Sequence, residues 1–223
     1  IILLDQNAIF SYTNEPTVTE VESGRLLMFL RTGLGRLFQA ESHDDGETWT
    51  RPCPTSLAAS TTLAQIRTLP NGHLLVVWNQ QDEVEIRSSF TRTRLSAAVS
   101  RNGGGVWEFF QNVESIHEET RVEPGPIRRV GPEEYQFESG RPAPQRDCMY
   151  ITSTTEYGKW DYPAVCVMKD RVLISHSYEN YVGHATRAEI VVNPDGDYNS
   201  KMKVLPLSWF YGGKEPSENS LLP

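Results

Sequence analysis

The chain has 223 residues, 21 Lys and Arg against 29 Asp and Glu, and a net charge near −8. That length is ample for a hydrophobic core, and 38% hydrophobic with 22% charged residues argues against long disorder. The acidic balance disfavours a broad nucleic-acid surface, no run approaches the roughly 18 apolar residues of a membrane helix, and no apolar signal segment opens the chain. The first residue is Ile1 rather than Met, as expected of a processed product, a fragment or the C-terminal part of something longer.

Short apolar runs bounded by turn residues dominate, and no segment holds a 3.6-residue apolar period over three turns, so the expectation is an all-β chain. Thr17–Leu30 reads as strand, tight turn, strand; Gly35–Glu41 follows as a strand and Ser42–Trp49 as a polar turn. Gln65–Trp78 repeats the hairpin with Asn71-Gly72 at its turn, followed by the strand Arg94–Val99 and the turn Ser100–Trp107. Residues 113–160 are charged and Pro-rich and lack a good hairpin, which predicts a long insertion covering one rim, or a degenerate blade. Ala164–Ser175 repeats the hairpin again with Lys169-Asp170 at its turn, followed by Ala188–Val192 and a looser turn at Asn193–Tyr198. Leu26, Leu74 and Val172 align at spacings of 48 and 98 residues, one period and about two. Three or four strands per period is the arrangement of a β-propeller blade, whose sheet cannot bury both faces alone. Blade-like repeats are thus expected at about 10–50, 60–110 and 160–200.

Two turns share a frame with a physical job. In Ser42-x-Asp44-x-Gly46-x-x-Trp49 the Asp accepts backbone N–H groups, the Gly permits positive φ, and the Trp wedges between strands. Ser100-x-Asn102-x-Gly104-x-x-Trp107 is the same frame with Asn for Asp. These residues read as scaffold. The pattern resembles the Asp-box of sialidases (neuraminidases) and related propellers. Asn14–Val21 with Gly24–Thr32, Leu74–Asn79, Arg92–Ser100, Asp161–Val165 and Lys203–Phe210 look like successive portions of that family. The resemblance implies a six-bladed propeller of which residues 1–223 are the C-terminal part, about four blades' worth.

Sialidases remove a terminal sugar that carries a carboxylate beside its anomeric carbon. Arg side chains clamp that carboxylate with paired charge-assisted hydrogen bonds, and the nucleophile is a Tyr, whose neutral phenol escapes like-charge repulsion. A neighbouring Glu takes the phenol proton, since a pKa near 10 leaves tyrosine a poor nucleophile at neutral pH. By this resemblance Tyr162 matches the nucleophile, Glu15 its partner base, Arg31 the second Arg of the clamp and Arg92 the third. Arg94 is the alternative to Arg92, because strand alternation puts both on one face. The first Arg and the acid/base Asp belong to blades upstream of anything matched here.

Each residue also has an ordinary reading: Glu15 as a loop carboxylate, Arg31 as a partner for a surface acid, Tyr162 as a core aromatic, and Glu179 as a strand-end acid or part of a cavity lining. The five histidines show no metal-ligand spacing and read as turn or surface residues. Cys53, Cys148 and Cys166 make no C-x-x-C pair and read as free thiols, with a single bridge as the alternative. No metal or organic cofactor is implied. The resemblance implies an exo-α-sialidase-like glycoside hydrolase acting on sialylated or other acidic glycans, with an extracellular or periplasmic setting. The alternative is a non-catalytic or truncated propeller that binds acidic glycans; a third reading turns the same site to a uronic-acid polymer.

Overall fold

The computed structural model describes residues 14–82, 85, 92–126, 156–182, 191–192 and 198–214. Cys148, His184, the third turn up to residue 197, the side chain of Glu179 and the insertion over 127–155 fall outside that set. The described residues form an all-β molecule of three antiparallel four-stranded sheets, as a partial propeller requires. The first sheet orders β1 (Asn14–Glu22), β2 (Arg25–Arg31), β3 (Arg36–Ser42) and β4 (Cys53–Ala58) side by side. The second repeats this with β5 (Ala64–Thr68), β6 (Leu74–Asn79), β7 (Arg94–Ser100) and β8 (Glu108–Ser115). In the third, β10 (Arg171–Val182) lies between β9 (Glu156–Val167) and β12 (Tyr198–Pro206), with the two-residue β11 (Val191–Val192) at its end. The first strands adjoin, β1 beside β5 and β5 beside β9, so the sheets follow one another around a common axis.

Two apolar layers hold the sheets together. Leu27, Phe29 and Leu37 meet Ile66, Leu74, Val76 and Trp78 between the first and second sheets. Leu75, Val77, Leu95 and Val99 meet Val165, Val172 and Ile174 between the second and third, with Phe210 and Tyr211 closing that layer from the short 3-10 turn Leu207–Tyr211. The middle sheet is therefore apolar on both faces, and every residue of β6 and β7 is buried. That explains the run Leu74-Leu-Val-Val-Trp, which lacks the alternation of a half-exposed strand.

The turns after β3 and β7 are built alike. The Ser42 hydroxyl donates to Asp44 Oδ1 (2.8 Å) and accepts from the Gly46 N–H (2.9 Å), while the Thr48 N–H reaches Asp44 Oδ1 (2.9 Å). In the second copy Ser100 donates to Asn102 Oδ1 (2.9 Å), which accepts the Val106 N–H (2.8 Å). Asn102 thus does the work of Asp44 Oδ1, because the contacts the two turns share use one acceptor oxygen that an amide also offers; Asp44 Oδ2 accepts in addition the Thr48 hydroxyl (2.6 Å). Trp107 is buried against Phe29 at 5.6 Å, whereas Trp49 stays half-exposed and donates to the Gly46 carbonyl (3.0 Å).

Cys53 and Cys166 are unbridged and exposed. His176 departs from its expected surface position: it is 2% exposed and follows Val172 and Ile174 on the buried face of β10. Among the described residues no helix is long and apolar enough to cross a membrane.

Candidate functional site

Glu15, Arg31 and Arg92 lie at one end of the first two sheets, where the first and third strands start and the second finishes; Tyr162 lies midway along the longer β9, at the blade position equivalent to Glu15 and beside Arg92. The Ser–Asp–Gly–Trp turns lie at the opposite end, after the third strands. Scaffold chemistry and candidate ligand chemistry are therefore separated by the length of a strand.

Two of the residues sit on matching irregularities. In β1 the register runs Asn14 opposite Arg31 and then Thr17 opposite Phe29, so Glu15 and Pro16 together face Leu30. In β9 it runs Asp161 opposite Ser177 and then Ala164 opposite Ser175, so Tyr162 and Pro163 together face His176. Each is a β-bulge, two residues against one, and each extra residue has positive φ: 46° at Glu15 and 49° at Tyr162. With Leu26 and Val172 superposed as repeat positions, Glu15 and Tyr162 occupy the same place in their blades. The signal was present in the sequence as Glu15-Pro16-Thr-Val and Tyr162-Pro163-Ala-Val, two X-Pro pairs at one repeat position.

The contacts divide the site into two pairs. Arg31 donates from Nη1 to Glu15 Oε2 at 2.7 Å, with both side chains partly buried. Arg92 donates from Nη1 to Asp161 Oδ2 at 2.5 Å and lies over the Tyr162 ring, 5.1 Å from its centroid. Tyr162 itself is 49% exposed and open to a ligand. Burial works against the charge on Arg92, but the hydrogen bond and charge of Asp161, with Tyr162 beside it, hold its guanidinium above the ordinary value. Among the described residues no hydrogen bond joins Glu15 to Tyr162.

Arg94 takes a different place from Arg92. Arg92 precedes β7 with φ 69°, which breaks the alternation that would have put both on one face. Arg94 is 1% exposed and forks onto Glu85 at 3.0 and 2.9 Å, with Gln80 O at 3.4 Å. His117 stands 3.4 Å from the same carboxylate and bonds Thr93 Oγ1 at 2.9 Å. Burial, and then the charge of Arg94, hold the His117 imidazole below its usual pKa. Ser42 and Ser100 pair with Leu26 and Leu74, so Arg36 in β3 is the counterpart of Arg94. Arg36 likewise spends its N–H groups on protein, the carbonyls of Thr55 (3.3 Å) and Gly125. A position filled by Arg in both complete blades and tied inward in both is a brace for the loops beyond it.

Arg94 braces the connection between β6 and β7 at Gln80 and Glu85, and Arg36 braces the insertion at Gly125. The Gln80 amide holds Thr120 O (2.9 Å) and the Val122 N–H (2.8 Å), and Arg36 reaches Gly125. Residues 116–126 thus run from the end of β8 back across the second sheet to the first, at the end that carries the site. The buried Asn79 stitches the other side, donating to Arg94 O (3.1 Å) and Trp160 O (2.7 Å).

Asp161 was not foreseen. It is 3% exposed, bonded to Arg92 and 3.4 Å from Lys159 Nζ, which makes it a buried carboxylate with two cationic partners. Among the described residues no group of three or more His, Cys, Asp and Glu is placed to hold a metal ion.

Several solved structures are similar to this chain over part of their length. They include the α-L-arabinofuranosidase Arb93A from Fusarium graminearum (12% identity, TM-score 0.45, 87% of this chain and 48% of that one). The leech intramolecular trans-sialidase (14%, 0.49, 92% and 24%) and that of Ruminococcus gnavus (16%, 0.47, 91% and 34%) are others. The chain spans about half the length of the first of these. No curated protein matches it. The model of the BNR repeat-like domain matches residues 5–174, a stretch that holds both Ser-x-Asp/Asn-x-Gly-x-x-Trp turns and all three repeated hairpins, and the chain therefore belongs to the BNR repeat-like domain family.

Proposed function

We propose that the chain is the C-terminal portion of a sialidase-type glycoside hydrolase that removes a terminal acidic sugar, with Tyr162 as nucleophile and Glu15 as its base. The observation that carries the reading is the placement of Glu15–Arg31 and Tyr162–Arg92 at two equivalent bulges. A guanidinium over an exposed phenol, with a second beside the equivalent bulge of the first sheet, suits a substrate whose carboxylate lies beside the reacting carbon. In this reading the Tyr162 oxygen bonds to the anomeric carbon as the aglycone leaves with its electron pair, and Glu15 accepts the phenol proton. Water then attacks the anomeric carbon and displaces Tyr162, keeping one proton on the new sugar hydroxyl and losing the other to solvent, which protonates the departed aglycone anion; Glu15 returns its proton to the Tyr162 oxygen. The substrate carboxylate competes with Glu15 for the N–H groups of Arg31, which frees Glu15 for the phenol.

A second reading is a propeller that binds acidic glycans without cleaving them. The Glu15–Arg31 ion pair favours it, because it leaves Tyr162 without a base in the described contacts. Hydrolysis of a fluorogenic sialic-acid glycoside by the parent and by Tyr162→Phe separates the two. The activated aryl leaving group needs little acid help, so the assay does not depend on an acid/base Asp outside this chain. Turnover that disappears in Tyr162→Phe supports the nucleophile; turnover that survives rules it out. Sialic-acid binding with no turnover from the parent supports the binding reading.

A further inference from the structure

The one buried carboxylate in contact with the candidate site has no part in the scheme above. Asp161 immediately precedes the bulge at Tyr162, faces Ser177 across the ladder and is 3% exposed. An ionised carboxylate taken out of water is retained only against strong partners, and Asp161 has Arg92 at 2.5 Å and Lys159 at 3.4 Å. Its neighbour Trp160 donates its backbone N–H to the carbonyl of Arg92 at 2.9 Å, so backbone and side chain of Arg92 are both held by consecutive residues of β9. Arg92 carries φ 69°, a conformation a non-glycine residue keeps only when its surroundings impose it. Guanidinium has five N–H donors, of which the contact with Asp161 occupies Nη1. The guanidinium carbon lies 5.1 Å from the centroid of the exposed Tyr162 ring, with the Tyr162 side chain also in hydrogen-bond contact with Arg92.

We propose that Asp161 is a positioning residue for carboxylate recognition: it fixes the plane of Arg92 over Tyr162 so that the guanidinium meets a ligand carboxylate without first losing side-chain freedom. The inference rests on the reading of Arg92 as a carboxylate ligand and adds the group that orients it. Arg loses its advantage over Lys when its fork is free to swing, since pre-organisation is what limits the entropy lost per hydrogen bond.

The test compares N-acetylneuraminic acid with its methyl ester by calorimetric titration of the parent, Asp161→Asn and Asp161→Ala. The parent is expected to prefer the acid. Asp161→Ala is expected to cut that preference by about tenfold while leaving ester affinity unchanged, because only the charged ligand uses the oriented guanidinium. Asp161→Asn keeps the shape and one acceptor oxygen and is expected to fall between them; it carries the test alone if the alanine variant does not fold. Equal weakening of acid and ester would mark Asp161 as merely structural and overturn the proposal, as would an unchanged preference. A parent with no preference for the acid would refute Arg92 as a carboxylate ligand, and this inference would fall with it for that separate reason.

Discussion

Arg92 and Arg94 are two residues apart, the structure gives them different partners, and the proposed function gives them opposite jobs, which a pair of substitutions can separate. Arg94→Met removes a buried fork from Glu85, which loses hydrogen bonds of 3.0 and 2.9 Å and keeps His117 at 3.4 Å. Breaking a buried pair from one side costs about 3–5 kcal/mol; Glu85 keeps 15% of its side chain exposed, so about 2–4 kcal/mol is expected. At roughly 2–4 °C per kcal/mol for a chain of this size, Tm should fall by roughly 5–15 °C. Arg92→Met leaves Asp161 with Lys159 at 3.4 Å, so its stability cost should be smaller, about 1–2 kcal/mol. Under the proposed function it also removes a charge-assisted contact to the ligand, at about 1.5–3 kcal/mol, or roughly 10–100-fold in affinity. Thermal unfolding and sialic-acid titration of both variants at a temperature where each is folded are the assays. Arg94→Met should lose stability and keep affinity; Arg92→Met should lose affinity with the smaller fall in Tm. The opposite pattern would exchange the two roles and refute the argument from the Arg36 counterpart.

Two further outcomes follow from the scaffold. Gly72 and Gly104 both have positive φ, 82° and 97°, but a Cβ at Gly72 meets nothing within 4 Å whereas one at Gly104 comes within 2.6 Å of Leu27 Cδ2. Gly72→Ala should therefore cost only the left-handed penalty of about 1–2 kcal/mol, and Gly104→Ala an additional ~1–3 kcal/mol of overpacking in the layer between the first two sheets. Denaturant melts measure the difference, and equal costs would contradict the packing described. His176 titrates below its ordinary value because it is buried; the backbone carbonyl of Ser177 and the Glu114 carboxylate favour its charge, and Lys203 and Lys201 oppose it. The unfolded chain therefore binds a proton at His176 that the folded one resists, so stability is present above the unfolded histidine value near 6.5 and falls as pH drops below it. Tm measured from pH 7.5 to 5.5 should decline less steeply in His176→Phe than in the parent, and identical slopes would contradict this assignment.

Much of the architecture was legible because it depends on local chemistry repeated at a fixed period. Asn71-Gly72, Lys169-Asp170 and the two Ser-x-Asp/Asn-x-Gly-x-x-Trp turns punctuate strands whose apolar residues are plain in the sequence. The burial of His176 was legible too, since Val172, Ile174 and His176 alternate on one face; a polar side chain was read as exposed where the strand period said otherwise. Arg94 could have been recognised as a brace from Gly35-Arg36-Leu37 and Thr93-Arg94-Leu95, which stand at one repeat position. What strand alternation could not supply was Arg92, because a residue with positive φ leaves the two-residue period. Nor could it supply Asp161, whose importance comes from a partner 69 residues away in the chain.

The bulges at Glu15 and Tyr162 are the part of the fold that the scaffold does not require. In the middle sheet the same blade position is Leu63, followed by Ala64, and the ladder runs from Ala64 opposite Trp78 to Thr68 opposite Leu74 without a register shift. A blade of this kind therefore closes with an ordinary first strand. The first and third sheets instead place a non-glycine residue at positive φ directly before a proline, at about 1–3 kcal/mol each. Proline has no N–H, so the step in the ladder leaves no donor unpaired at Pro16 or Pro163. The strain buys a direction: in the third sheet it leaves Tyr162 exposed between the buried Asp161 and the buried Pro163, and in the first it brings Glu15 to Arg31. A strand that needed only to pack would keep the arrangement of the middle sheet, and the two that depart from it carry the acid and the phenol.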